Sequence, residues 1–220
     1  MRSTRRPARL LVAALALALL AGACSSDGDG DEQAAADASA FEGREMPEAT
    51  PKPEFTLTDT NGDPYDFAAE TEGKVTFLYF GYTFCPDICP VHLAQLSEVL
   101  SQPGMTPNVE VVFVTVDPER DTPEVIRDYL DNFSTSFVGL TGTSEELEAA
   151  QVAAGVTPAI KEPNEEDPEQ YTMGHAGQVI AYAPNGLNYT QYPFGSRQSQ
   201  FAHDIPVLDG LREPGAVPDA

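Results

Sequence analysis

Basic residues are scarce in this chain of 220: 12 Lys and Arg stand against 35 Asp and Glu, and His occurs three times. Residues 1–23 hold four of the basic groups and no acid, so the rest carries 27 excess acids. Such a surface repels nucleic acid and anionic headgroups, which argues against either as a binding partner. Cysteine is equally sparse, at three residues, and a closed structural zinc site with its four ligands cannot be assembled from the pattern. Long apolar runs are missing as well: Leu10 to Ala21 falls short of the ~20 residues that a spanning helix needs. No internal repeat is visible, and the length suits one domain with tails.

Residues 1–24, MRSTRRPARLLVAALALALLAGAC, place four arginines ahead of the apolar run, then small residues, then Cys24, the layout of an export signal. LAGAC resembles a bacterial lipobox, with Ala21 where leucine is usual. Arg5 and Arg6 hint at twin-arginine export, but the residues that follow fit that signal poorly. The expectation is a signal peptide over 1–23 and a lipid on Cys24 that holds the chain at the extracytoplasmic face of the membrane. Residues 25–50 are acidic and small and bury too little to offset the entropy of ordering, so 24–50 reads as lipid anchor plus disordered tether. As a random coil it would span roughly 25 to 30 Å. The folded domain is expected over 51–213, with a flexible tail at 214–220.

From Phe55 the texture changes. FTLTD alternates and turns at NGDP; KVTFLYFGY, VEVVFVTVD (109–117) and SFVGLTG (136–142) read as strands, the first two apolar enough to be buried on both faces. Helical stripes fall over 90–101 and 123–133, the second opened by Thr122 and Pro123, and a third helix begins at Ser144. GQVIAYAPNGLNYTQYPF predicts two strands joined at Pro-Asn-Gly, and a last helix near 197–211 is interrupted by Pro206. The sum is an α/β layer sandwich with a central mixed sheet flanked by helices.

YFGYTFCPDICPVHL (79–93) carries the chemistry. Cys85 follows a buried strand at the entry to a helix, where free amides and the dipole favour a thiolate. If the segment is helical, the three-residue gap puts both sulfurs on one face, close enough to oxidise together or to chelate one ion. Thiols in this number favour Cu(I), with Zn(II) also open.

At these residues the chain resembles the Sco/SenC family, thioredoxin-like copper-binding factors for assembly of cytochrome c oxidase. FTLTDTNGDPYDF, YFGYTFCPDICP, VTVDPERDTPEVIRDYL and YTMGHAGQVIAYAPNG carry the resemblance across about residues 54–212. It implies a thioredoxin-like fold and copper as Cu(I) or Cu(II) on Cys85, Cys89 and His175; with Cys24 used as an anchor, Cys85 and Cys89 are the remaining thiols of an exported chain, and an oxidising compartment would tend to join them in a redox disulfide. It also implies a membrane-tethered chaperone that delivers copper to cytochrome c oxidase subunit II, with other copper chaperones or thiol reductases as further partners. The family usually has Asp before its histidine, where this chain has Gly174, and an acidic residue where it has His92.

Other residues read more plainly. His92, three after Cys89, is either an auxiliary ligand or, by the plainer reading, a partly exposed helix histidine. His203 reads as surface or packing; Asp117, Glu119, Arg120 and Asp121 read as a helix-capping turn rather than a docking loop; Asp87 either forms a turn with Pro86 or tunes the thiols. EPNEEDPEQ (162–170) reads as a solvated acidic loop before His175. The competing functions are a thiol-disulfide reductase, with Cys85 and Cys89 as its catalytic redox pair, and an extracytoplasmic copper or redox sensor. The three-residue gap and the distal histidine favour metal binding over either a reductase or a lone-cysteine peroxidase.

Overall fold

The computed structural model describes residues 39–105, 108–164, 167, 170–213 and 216. Its centre is the parallel pair β4 (Val75–Gly81) and β5 (Val109–Thr115), in register from Val75↔Val109 to Gly81↔Thr115. Every residue of β4 is buried, which is why its sequence is a continuous apolar run rather than an alternating one. β6 (Val138–Thr141) adds in parallel to β5, and β9 (Val179–Tyr182) pairs antiparallel with β4. With β1 (Arg44–Pro51), β2 (Thr56–Asp59), β3 (Pro64–Asp66) and β10 (Leu187–Tyr192) the mixed sheet has the order β1-β10-β9-β4-β5-β6-β2-β3. The expected α/β sandwich is present.

Helix boundaries follow capping chemistry. α1 (Phe67–Glu70) is a single turn capped by Asp66. α2 is Ile88–Leu100. α3 (Pro123–Asp131) starts as predicted, with Thr122 Oγ1 accepting from Val125 N and proline in the first turn. α4 (Ser144–Ala153) has a capping box, in which the Thr143 and Glu146 side chains each accept from the other's backbone N–H. α5 (Gln198–Gly210) runs on through Pro206, where the sequence predicts an interruption. Pro206 lies on the exposed face, while Phe201, Ile205 and Leu208 are buried on the other, so core packing holds the helix across the lost hydrogen bond.

Two further segments depart from expectation. The tether reading runs to residue 50, yet Phe41 is buried and stacks on Tyr189 with ring centroids 6.1 Å apart. Glu42 N and Gly43 N donate to the Asp204 carboxylate at 2.8 and 2.9 Å, and β1 then pairs with β10 across a bulge between Glu45 and Thr50. Backbone pairing and one aromatic side chain decide the matter, where average composition suggested disorder. Cys24, the expected signal peptide and the rest of the expected tether lie outside the described residues, as does most of the expected 214–220 tail. The second departure concerns residues 160–174: β7 (Ile160–Pro163) and β8 (Tyr171–Gly174) form a separate two-stranded antiparallel sheet, so Glu162 and Pro163, which begin the acidic stretch, lie in a strand. No described helix is long and apolar enough to cross a membrane.

Candidate metal centre

Sheet register builds the site. β4 and β9 run antiparallel with Leu78 opposite Ile180, so the residues just past the end of β4 lie beside those just before β9. Cys85 belongs to the first group and His175 to the second. Cys89 comes from the first turn of α2. Cys85 itself precedes the helix, so the sulfurs do not lie one turn apart on one helical face; instead Cys89 N donates to Cys85 Sγ at 3.4 Å. The thiolate-stabilising helix entry is thus present, with the amide of one cysteine serving the sulfur of the other.

One ligand atom from each of Cys85, Cys89 and His175 lies within 4.8 Å of the others, and Cys89 Sγ is 3.8 Å from His175 Nε2. Among the described residues no other group of three Cys, His or carboxylate side chains converges in this way. Both cysteines are free and buried, Cys89 wholly and Cys85 with 8% of its surface exposed; His175 is half-buried. His175 Nδ1 lies 3.1 Å from its neighbour's carbonyl, Ala176 O, and a carbonyl accepts only, so Nδ1 carries a proton and Nε2 is the ring nitrogen that faces the sulfurs.

The two thiols differ electrostatically. Donation from the Cys89 thiol, against the opposing effect of burial, brings Cys85 down to about 4, with His175 and the amides of Cys89 and Asp87 contributing. Cys89 is pushed far up, by burial first and then by the Cys85 thiolate, although Tyr79 donates its hydroxyl to Cys89 Sγ at 3.3 Å. The pair therefore holds one thiolate near the surface and one thiol beneath it. Two soft sulfurs and an imidazole suit Cu(I) in three-fold coordination better than a hard cation.

Several supporting residues were not apparent in the sequence. A Cβ on Gly81 would lie 2.8 Å from Cys89 Sγ and 2.9 Å from the Phe113 ring, so the sulfur sits in a notch that only glycine leaves open. Asp121 is not a helix cap, a role Thr122 takes; its buried carboxylate accepts from Thr83 N, Thr83 Oγ1 and Thr115 Oγ1, fixing the turn that leads to Cys85. Burial raises its pKa in spite of those donors. Asp117 pairs with Arg120 and accepts from Tyr171 OH, while Glu119 pairs with Lys161 at the surface. Asp87 caps α2, accepting from Ile88 N. Only the packing of distant segments reveals these roles; the DPERD run marks the place and not the partners.

His92 is corrected by the structure: it is 1% exposed, not partly exposed, and it is not in the converging cluster. Burial lowers its pKa. His203 lies at the surface as expected, its Nδ1 2.8 Å from Asp204 Oδ1. Beside His175 opens a groove of about 560 Å³, whose lining includes Val156, Pro158, Ile160, Glu162 and Ala176. The carboxylate of Glu162 stands over Gly174, where a Cβ would meet Oε1 at 2.7 Å.

Comparison with known proteins gives a consistent result. The SCO1/SenC family model matches residues 44–208. The chain is 34% identical over 134 residues to an SCO2-like protein of Rickettsia felis, covering 60% of this chain and 64% of that one. It is 34% identical over 151 residues to the mitochondrial SCO2 homolog of Bos taurus, covering 67% of this chain and 55% of that one. The matched stretch is thus little more than half of the bovine protein. Among solved structures, copper-bound ScoI of Bradyrhizobium japonicum is similar at a TM-score of 0.62 and 32% identity, over 71% of this chain and 98% of that one.

Proposed function

This chain belongs to the SCO1/SenC family, and on that premise we propose that it is a copper-carrying assembly factor for cytochrome c oxidase. Copper is its cargo, held by Cys85, Cys89 and His175 and delivered to the copper site of oxidase subunit II. The convergence of two sulfurs and one imidazole nitrogen within 4.8 Å carries this reading. Transfer by ligand exchange needs a site that is coordinatively incomplete and open on one side. Cys85 and His175 reach the surface while Cys89 does not, so the site opens on their side. The export-type leader and Cys24 support a domain tethered by lipid at the extracytoplasmic face, where an acidic surface keeps it off anionic headgroups.

The test is an anaerobic Cu(I) competition titration of the reduced chain from residue 39 onward. One tightly bound copper is expected. Cys85→Ser and Cys89→Ser should each abolish tight binding, and His175→Ala should cost at least the roughly 10–100-fold typical of losing even an outer-shell partner. Unchanged affinity in either cysteine variant sinks the assignment. A loaded protein that keeps its copper beside the soluble domain of subunit II sinks the delivery step.

One observation favours a second activity. A near-surface Cys85 thiolate above a protonated Cys89 is the arrangement of a disulfide reductase. Cys85 would attack a partner disulfide to form a mixed disulfide and release one partner thiolate. Cys89, on losing its proton, would then displace the second, leaving the partner as a dithiol and this chain with a Cys85–Cys89 disulfide. A thiol reductant must restore the pair after each round.

A further inference from the structure

His175 is carried on the short segment 171–177, half-exposed for most of its length, which comprises β8 and the three residues that follow it toward β9. Two backbone carbonyls of that segment, one on each side of the histidine, are bonded by side chains from the cysteine side of the molecule. Arg120 Nη1 donates to Tyr171 O at 3.1 Å, and His92 Nε2 lies 3.1 Å from Gly177 O. A carbonyl can only accept, so His92 carries its proton on Nε2. The guanidinium also lies 3.7 Å from the centroid of the Tyr171 ring, 4.8 Å from that of Phe84 and 5.7 Å from that of Tyr82, and it pairs with Asp117. It therefore touches residues just ahead of Cys85 and the strand that leads to His175. His92 projects from α2 three residues after Cys89, with its ring edge-on to Tyr79 and Phe201.

Both side chains are costly choices for stability alone. Arg120 Nη2 and His92 Nδ1 are buried with no hydrogen-bond partner among the described residues. An apolar side chain at 92 would avoid that penalty and fill the same space. What each residue supplies that an apolar one cannot is a directed bond to one carbonyl.

We propose that His92 and Arg120 are positioning residues which pin the two ends of segment 171–177 and so set the reach of His175 to the two sulfurs. The proposal rests on His175 serving as the third ligand. Ligand exchange then has a built-in asymmetry: the sulfurs stay fixed in the body of the fold, and the histidine is held by two bonds that can open without unfolding the sheet.

Two measurements test this, one of them without metal. In the reduced, copper-free protein, His92→Leu and Arg120→Gln should each speed amide hydrogen exchange across 171–177 by roughly three- to tenfold, the worth of one carbonyl hydrogen bond. Exchange in β4 and β5 should stay unchanged. His92→Gln keeps a donor for Gly177 O and should restore the parent pattern. With Cu(II) bound, the nitrogen hyperfine signal of His175 should weaken in the His92→Leu and Arg120→Gln variants, and adding His175→Ala to either should lower Cu(I) affinity no further than His175→Ala alone. Unaltered exchange over 171–177 in both variants, or faster exchange spread evenly over the whole domain, overturns the proposal. Should His175→Ala bind copper like the parent, the metal reading fails instead, and the exchange result still decides whether the segment is pinned.

Discussion

Cys89 and His175 lie 3.8 Å apart yet belong to regions of different character. Cys89 is wholly buried, opens a thirteen-residue helix, receives a bond from Tyr79 and rests in the notch above Gly81. His175 is half-buried and follows a strand of the two-stranded sheet outside the main one, close to a groove. Cys85 stands between them, exposed at its edge and tied by its loop to Asp121. A site made wholly like the Cys89 side would hold a metal and never release it, whereas one made wholly like the His175 side would lack the packing that fixes its geometry.

The difference is sharpest between the two thiols. Iodoacetamide should label Cys85 in preference to Cys89 at neutral pH, read by peptide mass mapping, and Cys89 should react only on unfolding. The Cys85 rate should hold as pH is lowered and fall only toward about 4. The sign follows from the depressed value: the stability that this thiolate lends is whole above its ordinary 9.0 and is lost as pH falls through about 4. Equal labelling of both sulfurs would erase the contrast. Next in size, Gly81→Ala should press a methyl group into Cys89 Sγ, cost about 1–3 kcal/mol of stability as over-packing does, and weaken Cu(I) binding by moving one ligand. Denaturant unfolding beside a copper titration checks both; an unperturbed Cys89 would mean that the notch is slack. Smallest, Tyr79→Phe removes one donor from Cys89 Sγ and should cost about 0.5–1.5 kcal/mol, visible in the same unfolding curves. It should also leave the Cys89 thiol still harder to ionise.

That contrast was only half legible beforehand. The apolar runs that became β4 and β5 and the start of α3 at Thr122 are local signals, and each appears in the structure where the pattern puts it; the cysteine spacing marks the site, but Cys85 precedes the helix instead of sharing a helical face with Cys89. His175 came from resemblance, because nothing near residue 175 announces sulfurs 86 and 90 positions earlier. The β4–β9 register that joins them is a long-range pairing with no local mark. The same holds for Tyr79, Gly81 and Arg120, which read as core, strand end and turn until their neighbours are known. His92 was misjudged on exposure for a related reason: its burial comes from Phe201 and Gly177, far downstream in the chain. β1 was missed because its acidic composition resembles that of the segment before it, and its order depends on hydrogen bonds to β10.

Strand β1 also closes one end of the main sheet. It covers the edge of β10, whose Thr190, Gln191 and Tyr192 are buried. Its own outward edge is poor in pairing capacity, since Pro47 and Pro51 have no N–H and Arg44, Glu45 and Glu48 bring charge. A chain cut back to Pro51, where composition alone would start the domain, would bare β10 as a template for a strand from a neighbour. The few residues from Phe41 to Pro51 thus serve as a guard against edge-to-edge aggregation.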